Sequence, residues 1–81
     1  MMFRTNENKF RAEQIAAALT TQGELLRVAA ETIADWRTEL LLGIITDEDK
    51  EKLTEWMEYR KSVKAIDIHK APDIFWPEKP V

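Results

Sequence analysis

The only histidine of the chain, His69, carries the side chain best suited to proton transfer, because an imidazole titrates near neutral pH. Two carboxylates lie near it in sequence, Asp67 and Asp73, and the only serine is Ser62. Nucleophilic catalysis by a serine or cysteine needs that residue beside its base, and no such motif is present. We therefore expect His69 to face solvent, and we expect no catalytic residues and no enzymatic activity.

Metal and nucleotide binding are not indicated either. A metal site needs three or four convergent ligands, and one histidine among scattered carboxylates does not supply them. The acidic run at 47–51, DEDKE, lacks the spacing and the glycine of a calcium loop and is typical of a helix start. No glycine-rich phosphate loop occurs. We expect no metal and no cofactor.

The composition is that of a small water-soluble domain. The 81 residues include 33% charged and 44% hydrophobic residues, no cysteine, and a net charge of −3 with acids and bases interspersed. This charge disfavours nucleic acid as a partner, and the apolar runs are too short to span a membrane. The first ten residues lack the apolar core of a signal peptide. We expect a cytoplasmic chain that binds neither nucleic acid nor membrane.

Two helices are expected to form an antiparallel hairpin, an all-α fold. Residues 8–42 contain no proline and are rich in good helix formers, and their apolar residues repeat with coiled-coil spacing. Gly23 interrupts this pattern without changing its phase, so the first helix is continuous or kinked there. Gly43 suits a helix C-terminus, and Thr46 suits the N-cap of a second helix over about 47–66.

The second helix has an apolar face and polar flanks. Tyr59, Arg60 and Lys64 are predicted to lie along the flanks. The predicted apolar face consists of Leu53, Trp56, Met57, Val63 and Ile66.

The two helices differ in length, about 50 Å against about 30 Å at about 1.5 Å per residue. The apolar seam of the first helix is therefore longer than the second helix covers, and we expect a homo-oligomer. Gln22 and Gly43 are the poor members of this seam. The residues predicted to mediate self-association are Leu19, Leu26, Ile33, Trp36 and Leu40.

The C-terminal residues cannot continue the helix, because Pro72, Pro77 and Pro80 prevent it. Ile68 and the run 74–76 are too apolar for a disordered tail. We expect an extended, proline-rich strap that lies on the hairpin or on a partner. Ile74 and Trp76 are expected to face inward and Phe75 outward, since side chains alternate along an extended chain. We also expect residues 1–8 to be flexible and residues 9–81 to form the helical domain.

The C-terminal half resembles a known family. The run TDEDKEKLTEWMEYRKSVKAIDIHKAPDIFWPEKP combines an acidic helix start, a W-x-x-Y-R element, Asp67 and an A-P-D-I-x-W-P-x-x-P ending. This pattern is similar to the C-terminal region of the tail fibre assembly proteins of tailed phages and prophages. The upstream FRAEQ and LLRVAAETIADWRTE resemble the preceding helix of the family. The resemblance covers residues 9–80.

The resemblance implies a chaperone that binds the tip of a phage tail fibre and assists its folding and trimerisation. It implies the bacterial host cytoplasm as location, with retention on the virion fibre as a further option. Family members are usually longer, with an N-terminal β-rich part, so this sequence is an excised domain, a prophage remnant or a minimal version. Together with the outward side of the strap, the resemblance gives the residues predicted for partner binding: Trp56, Tyr59, Arg60, Asp67, Pro72, Ile74, Phe75, Trp76 and Pro77.

Two alternatives stay open from the sequence. The chain is either such a fibre chaperone or an oligomeric helical scaffold whose tail only completes its own fold. For Trp36 and Trp56 packing in the core is the expected role, whereas Trp76 could serve the core or an interface equally well. Burial of Trp76 within the chain would favour the scaffold, and its exposure would favour the chaperone.

Overall fold

The computed structural model describes residues 2–80, with side chains described for residues 9–80. Helix α1 spans Met2–Leu42 and helix α2 spans Asp47–Lys64, followed by one turn of 3₁₀ helix at Ile68–Lys70. No strand occurs among the described residues. The predicted all-α class is confirmed.

The bounds of the helices differ from the predicted ones at two ends. Helix α1 begins at Met2 rather than near residue 8, and it runs through Gly23 without a break. Helix α2 ends at Lys64 rather than at 66, because Ala65 is its C-cap. The predicted flexibility of residues 1–8 concerns side chains outside the described ones, and it stays a prediction.

The link between the helices confirms the predicted caps. Gly43 adopts a φ of +72°, a left-handed conformation that favours glycine. The N–H groups of Gly43 and Ile44 donate to the carbonyls of Leu40 and Glu39 at 3.1 and 2.9 Å, the pattern of a Schellman motif. At the next helix, the N–H of Asp49 donates to Thr46 Oγ1 at 3.1 Å. These bonds satisfy groups that the helix ends would leave unpaired.

The core lies between the C-terminal half of α1 and α2. Tyr59 belongs to it with 5% exposure, so its predicted place on a polar flank is wrong. Leu25, Leu26, Trp36, Ile45 and Met57 pack against this core and are only partly buried. The buried core residues are Ala29, Ile33, Leu53, Trp56, Tyr59 and Val63.

The molecule is a rod of 63 × 17 × 16 Å. Its length equals that of α1, whose 41 residues span about 60 Å at about 1.5 Å per residue. Helix α2, with 18 residues, covers less than half of that length. The N-terminal part of α1 is therefore packed against the C-terminal residues and not against α2. Along the described chain, neither helix contains a stretch both long and apolar enough to cross a membrane.

Candidate functional site

The C-terminal segment, residues 65–80, returns along α1 and is anchored there by two side chains of that helix. Gln22 Nε2 donates to the carbonyl oxygens of Val63 and Ile66, at 3.0 and 3.2 Å. One of the Arg11 guanidinium nitrogens donates to the carbonyl oxygen of His69 at 3.0 Å. These bonds satisfy the carbonyls of Ile66 and His69 beyond the end of α2, and they give a second donor to the carbonyl of Val63, which also accepts the N–H of Ile66 at 3.2 Å.

A 3₁₀ turn begins the segment, so the prediction that it is extended throughout is wrong. Asp67 is the N-cap of this turn and accepts the N–H of His69 at 2.9 Å. The N–H of Asp73 donates to the carbonyl of Lys70 at 2.9 Å and continues the turning. A short carboxylate at an N-cap favours such a turn over extended chain. From residue 74 to residue 80 the chain has no regular secondary structure.

The segment forms a shallow depression against α1, which we call the tail groove. Ala18 and Ala71 are buried on its floor, with 7% and 4% exposure. Small residues at these two positions let the segment approach the helix closely. The cavity volume is about 250 Å³. The groove is lined by Gln14, Ala17, Ala18, Thr21, Ala71, Pro72, Ile74 and Trp76.

The side chains of residues 74–76 differ in exposure. Ile74 and Trp76 line the tail groove and are partly buried, whereas Phe75 between them is 96% exposed. This alternation is the one expected for an extended chain. Because Trp76 is only partly buried, its exposure does not distinguish between the chaperone hypothesis and the scaffold hypothesis. An exposed phenylalanine beside two anchored apolar residues is suited to contact a partner.

The structure does not bring all the predicted partner-binding residues to one surface. Trp56 is 9% exposed and Tyr59 is 5% exposed, and their rings meet edge to face with centroids 5.5 Å apart. They lie in the core and can influence a partner only through the fold. Asp67 and Pro72 are exposed, and Pro77 is partly buried with its neighbour Trp76. The segment residues therefore form the candidate site.

Arg60 does not have the predicted partner. We expected its guanidinium to stack on an aromatic ring or to pair with Asp67 or Asp73, to fix the end of the helix. Among the described side chains, it forms no hydrogen bond or ion pair with either carboxylate, and the aromatic contact there joins Trp56 and Tyr59. Arg11 and Gln22 fix this end instead.

The Tyr59 hydroxyl is buried and has no hydrogen-bond partner among the described residues. Burial raises the pKa of this phenol above its ordinary value, because the phenolate would lose its hydration. A buried polar atom without a partner destabilises a fold by about 1–3 kcal/mol. The presence of a hydroxyl at this position is therefore not explained by a contribution to the stability of the hairpin.

The predicted self-association residues are largely used within the chain. Ile33 is 2% exposed in the core, and Leu26 and Trp36 pack against that core. Only Leu19 and Leu40 remain well exposed, at 55% and 45%. The five residues do not form one free surface, and self-association itself stays a prediction.

Gln22 is the anchoring residue that the sequence interpretation missed. We counted it as a poor member of an apolar seam, although it is the polar residue on the buried side of α1 nearest to the end of α2. A polar residue in phase with a buried face can bond to the carbonyls at the end of a facing helix. That signal was available in the sequence.

The family model described as "Caudovirales tail fibre assembly protein, lambda gpK" matches residues 2–81. This chain belongs to that family. The resemblance seen in the sequence is thereby confirmed.

Several members of the family are similar to this chain over 68 residues, or 84% of its length. Tail fiber assembly protein U′ of Escherichia phage Mu is 41% identical, and the match covers 38% of that protein. Protein TfaD of Escherichia coli (strain K12) is 38% identical, with 36% of its length covered. The tail fiber assembly protein of Escherichia phage lambda is 38% identical, with 35% covered. The chain thus spans well under half the length of these relatives. No solved structure matches it.

Proposed function

We propose that this chain binds a phage tail fibre protein and assists its folding and trimerisation. The observation that carries the proposal is the C-terminal segment, which presents Phe75 with 96% exposure while Ile74 and Trp76 rest on α1. Family membership supports the class of partner, because the similar proteins of phages Mu and lambda are tail fiber assembly proteins. The site would lie in the bacterial host cytoplasm, where fibres are made.

The physical basis of such assistance is the protection of an unfinished fibre. Non-local β structure forms slowly and leaves strand edges and apolar surface open to aggregation. A protein that binds the assembly-competent state shifts the population toward that state by mass action. An apolar side chain held at the surface of a stable helical rod can do this without a catalytic group. We expect no enzymatic activity.

Within the site, each residue has a distinct part. Phe75 would insert into an apolar surface of the fibre, and Pro72 and Pro77 would limit the freedom of the chain around it. Ile74 and Trp76 would hold the segment on α1. Trp56 and Tyr59 would act through the core, and Asp67 through the 3₁₀ turn, whereas the partly buried Arg60 would pair with a fibre carboxylate.

Co-expression with the tail fibre protein encoded alongside this chain tests the proposal. We expect the chain to copurify with the fibre and to raise the fraction of fibre that is soluble and trimeric by size-exclusion chromatography. A fibre whose solubility and trimer content are the same with and without the chain, and which does not copurify, would contradict the proposal. That result would favour the scaffold, in which the partly buried Ile74 and Trp76 only complete the fold of the chain.

A further inference from the structure

Helix α1 has a second apolar face, which α2 does not cover. At about 3.6 residues per turn, this face lies beside the core face and runs along most of the helix. It includes two large apolar residues, Leu19 with 55% and Leu41 with 87% exposure. We call it the outer face. Its residues, all exposed, are Ala12, Ala16, Leu19, Gly23, Ala30, Ala34 and Leu41.

One charged residue, Arg37, lies on the outer face and lines its depression near the hairpin link, whereas the charged residue beside the middle of the face is directed away from it. Arg27 borders its centre, but its guanidinium pairs with Glu24 and Glu31, at 2.8 Å each, on the flank of the helix away from the outer face. Toward the hairpin link, a shallow depression lies on the face between Ala30 and Leu41. The outer face is therefore free of charge at its middle and open to another backbone.

Gly23, on the outer face, has no explanation within the chain. It lies inside a helix, where glycine destabilises relative to alanine, and its φ is not positive. An added Cβ would meet nothing within 4 Å, so no intrachain contact requires the missing side chain. Glycine on an open helix face allows another backbone to approach closely.

We propose that the outer face binds a second copy of this chain, with the two α1 helices antiparallel about a two-fold axis between Leu26 and Arg27. In this register Leu19, Leu41 and Arg37 each face a small residue, as close packing requires, and Leu26 faces Arg27 beside the axis. A parallel arrangement would place like residues together, leaving leucine against leucine and a gap at glycine. The antiparallel pairs are Leu19 with Ala34, Leu41 with Ala12, Arg37 with Ala16, and Gly23 with Ala30.

The distribution of charge favours the same orientation. Residues 35–51, around the hairpin link, contain six acidic and two basic residues. Residues 60–80, which lie toward the other end of the rod, contain five basic and three acidic residues, and Lys9 and Arg11 at that end outnumber the nearby Glu13. Antiparallel copies place the acidic end of one beside the basic end of the other, whereas parallel copies place acid beside acid.

The length of the outer face also fits a second α1. From Ala12 to Leu41 it spans about 44 Å at about 1.5 Å per residue, so a partner must be equally long and straight to cover it. This dimer replaces the self-association predicted through Ile33, Leu26 and Trp36, which the core already uses, and retains Leu19. It leaves Phe75 outside the interface and does not depend on fibre binding.

Cysteine cross-linking of the full chain tests the register, since the natural sequence contains no cysteine. A mixture of the Leu19→Cys and Ala34→Cys variants should form a disulfide-linked dimer several-fold faster than either variant alone, because the proposed pair brings these positions together. Asp35→Cys, an exposed position on the side of α1 turned away from the outer face, is the control. Cross-linking of each variant alone as fast as the mixture, or no faster than the control, would overturn the antiparallel dimer.

A second variant separates the dimer from the fold. Gly23→Gln adds a side chain where nothing in the chain lies within 4 Å, so thermal stability of the monomer should be kept or raised. By sedimentation equilibrium, its dimer dissociation constant should rise about tenfold or more, because the helices could no longer approach closely. Glu13→Gln, outside the outer face, should leave the dimer intact. A Gly23→Gln chain that dimerises like the unmodified one, or an unmodified chain that is monomeric throughout, would refute the proposal.

Discussion

Gln22 Nε2 lies 3.0 Å from the carbonyl oxygen of Val63, across the interface between α1 and α2. The same amide also reaches the carbonyl of Ile66 at 3.2 Å. A single side chain of the long helix thus caps the end of the short one and directs the chain toward the tail groove. The position of the candidate site depends on this contact.

Replacing Gln22 with methionine, which has a similar length and no donor, should lower the free energy of unfolding by about 1–2 kcal/mol. The loss would come from the carbonyl of Ile66, left without a donor, and from the carbonyl of Val63, which would keep only the N–H of Ile66. Gln14→Met, the same change on the same helix where the amide makes no such bond to α2, is the control and should change stability by less than about 0.5 kcal/mol. Urea unfolding measures both. Equal stability of the Gln22 variant and the unmodified chain would show that the two bonds do not hold the segment.

Tyr59→Phe should leave the free energy of unfolding unchanged or raise it by up to about 1 kcal/mol, because the hydroxyl is buried without a partner. Thermal unfolding near neutral pH measures this effect. Tyr59→Leu, which also removes the edge-to-face contact with Trp56, is the comparison and should be destabilising. A clearly less stable phenylalanine variant would mean that the hydroxyl is hydrogen-bonded in the folded protein.

Tyr59 should also limit stability at alkaline pH. Burial raises the pKa of its phenol in the folded state, so the unfolded chain loses the phenolic proton first as pH rises. The free energy of unfolding is therefore unaffected by this group below the unfolded pKa of about 10, and it falls as pH rises from there through the folded pKa. Denaturant unfolding across this range should show a steeper decline for the unmodified chain than for Tyr59→Phe. Parallel declines would contradict the burial of the phenol.

Thr46→Ala should lower the free energy of unfolding by about 1 kcal/mol, since it removes the acceptor for the N–H of Asp49 at the start of α2. Thr54→Ala is the matched control within the same helix. Its hydroxyl only bonds back to the carbonyl of Lys50, and alanine is the better helix former, so stability should hold or rise. If the two variants lost stability equally, the cap would have no specific role.

The fold was largely predictable from local signals. Gly43 and Thr46 marked the helix ends because a left-handed C-terminal residue and an N-cap hydroxyl each have a specific chemical role, and both are confirmed. Leu53, Trp56 and Val63 were placed on the buried face of α2 by their spacing alone, and the structure confirms this. Local chemistry determined these features, so a single sequence was sufficient.

It was harder to predict which apolar residues of the two helices pack within the chain and which are available to a partner. A heptad pattern identifies an apolar seam but not whether the partner helix belongs to the same chain, and Ile33 was therefore assigned to self-association although it lies in the core. Tyr59 was assigned to a flank because its spacing from Trp56 allows either place. The 3₁₀ turn after Asp67 was missed because prolines were taken to imply extended chain, whereas a carboxylate cap decided the local geometry.

The anchoring of the C-terminal segment can be tested with Trp76→Ala. Trp76 lines the tail groove and is partly buried, so the variant should lose about 1–2 kcal/mol of stability, less than the loss for a fully buried tryptophan. Phe75→Ala, at the neighbouring exposed position, should stay within about 0.5 kcal/mol of the unmodified chain. Equal stability of both variants would show that the segment does not rest on α1.

The central claim, that the C-terminal segment binds the fibre through Phe75, is tested most directly by copurification of the fibre with a Phe75→Ser variant. Phe10→Ser is the matched control, since Phe10 is also exposed, at 61%, but lies on α1 outside the segment. Both variants should fold with unchanged stability. We predict that Phe75→Ser loses fibre binding while Phe10→Ser retains it. Fibre recovered equally with Phe75→Ser and with the unmodified chain would contradict the account.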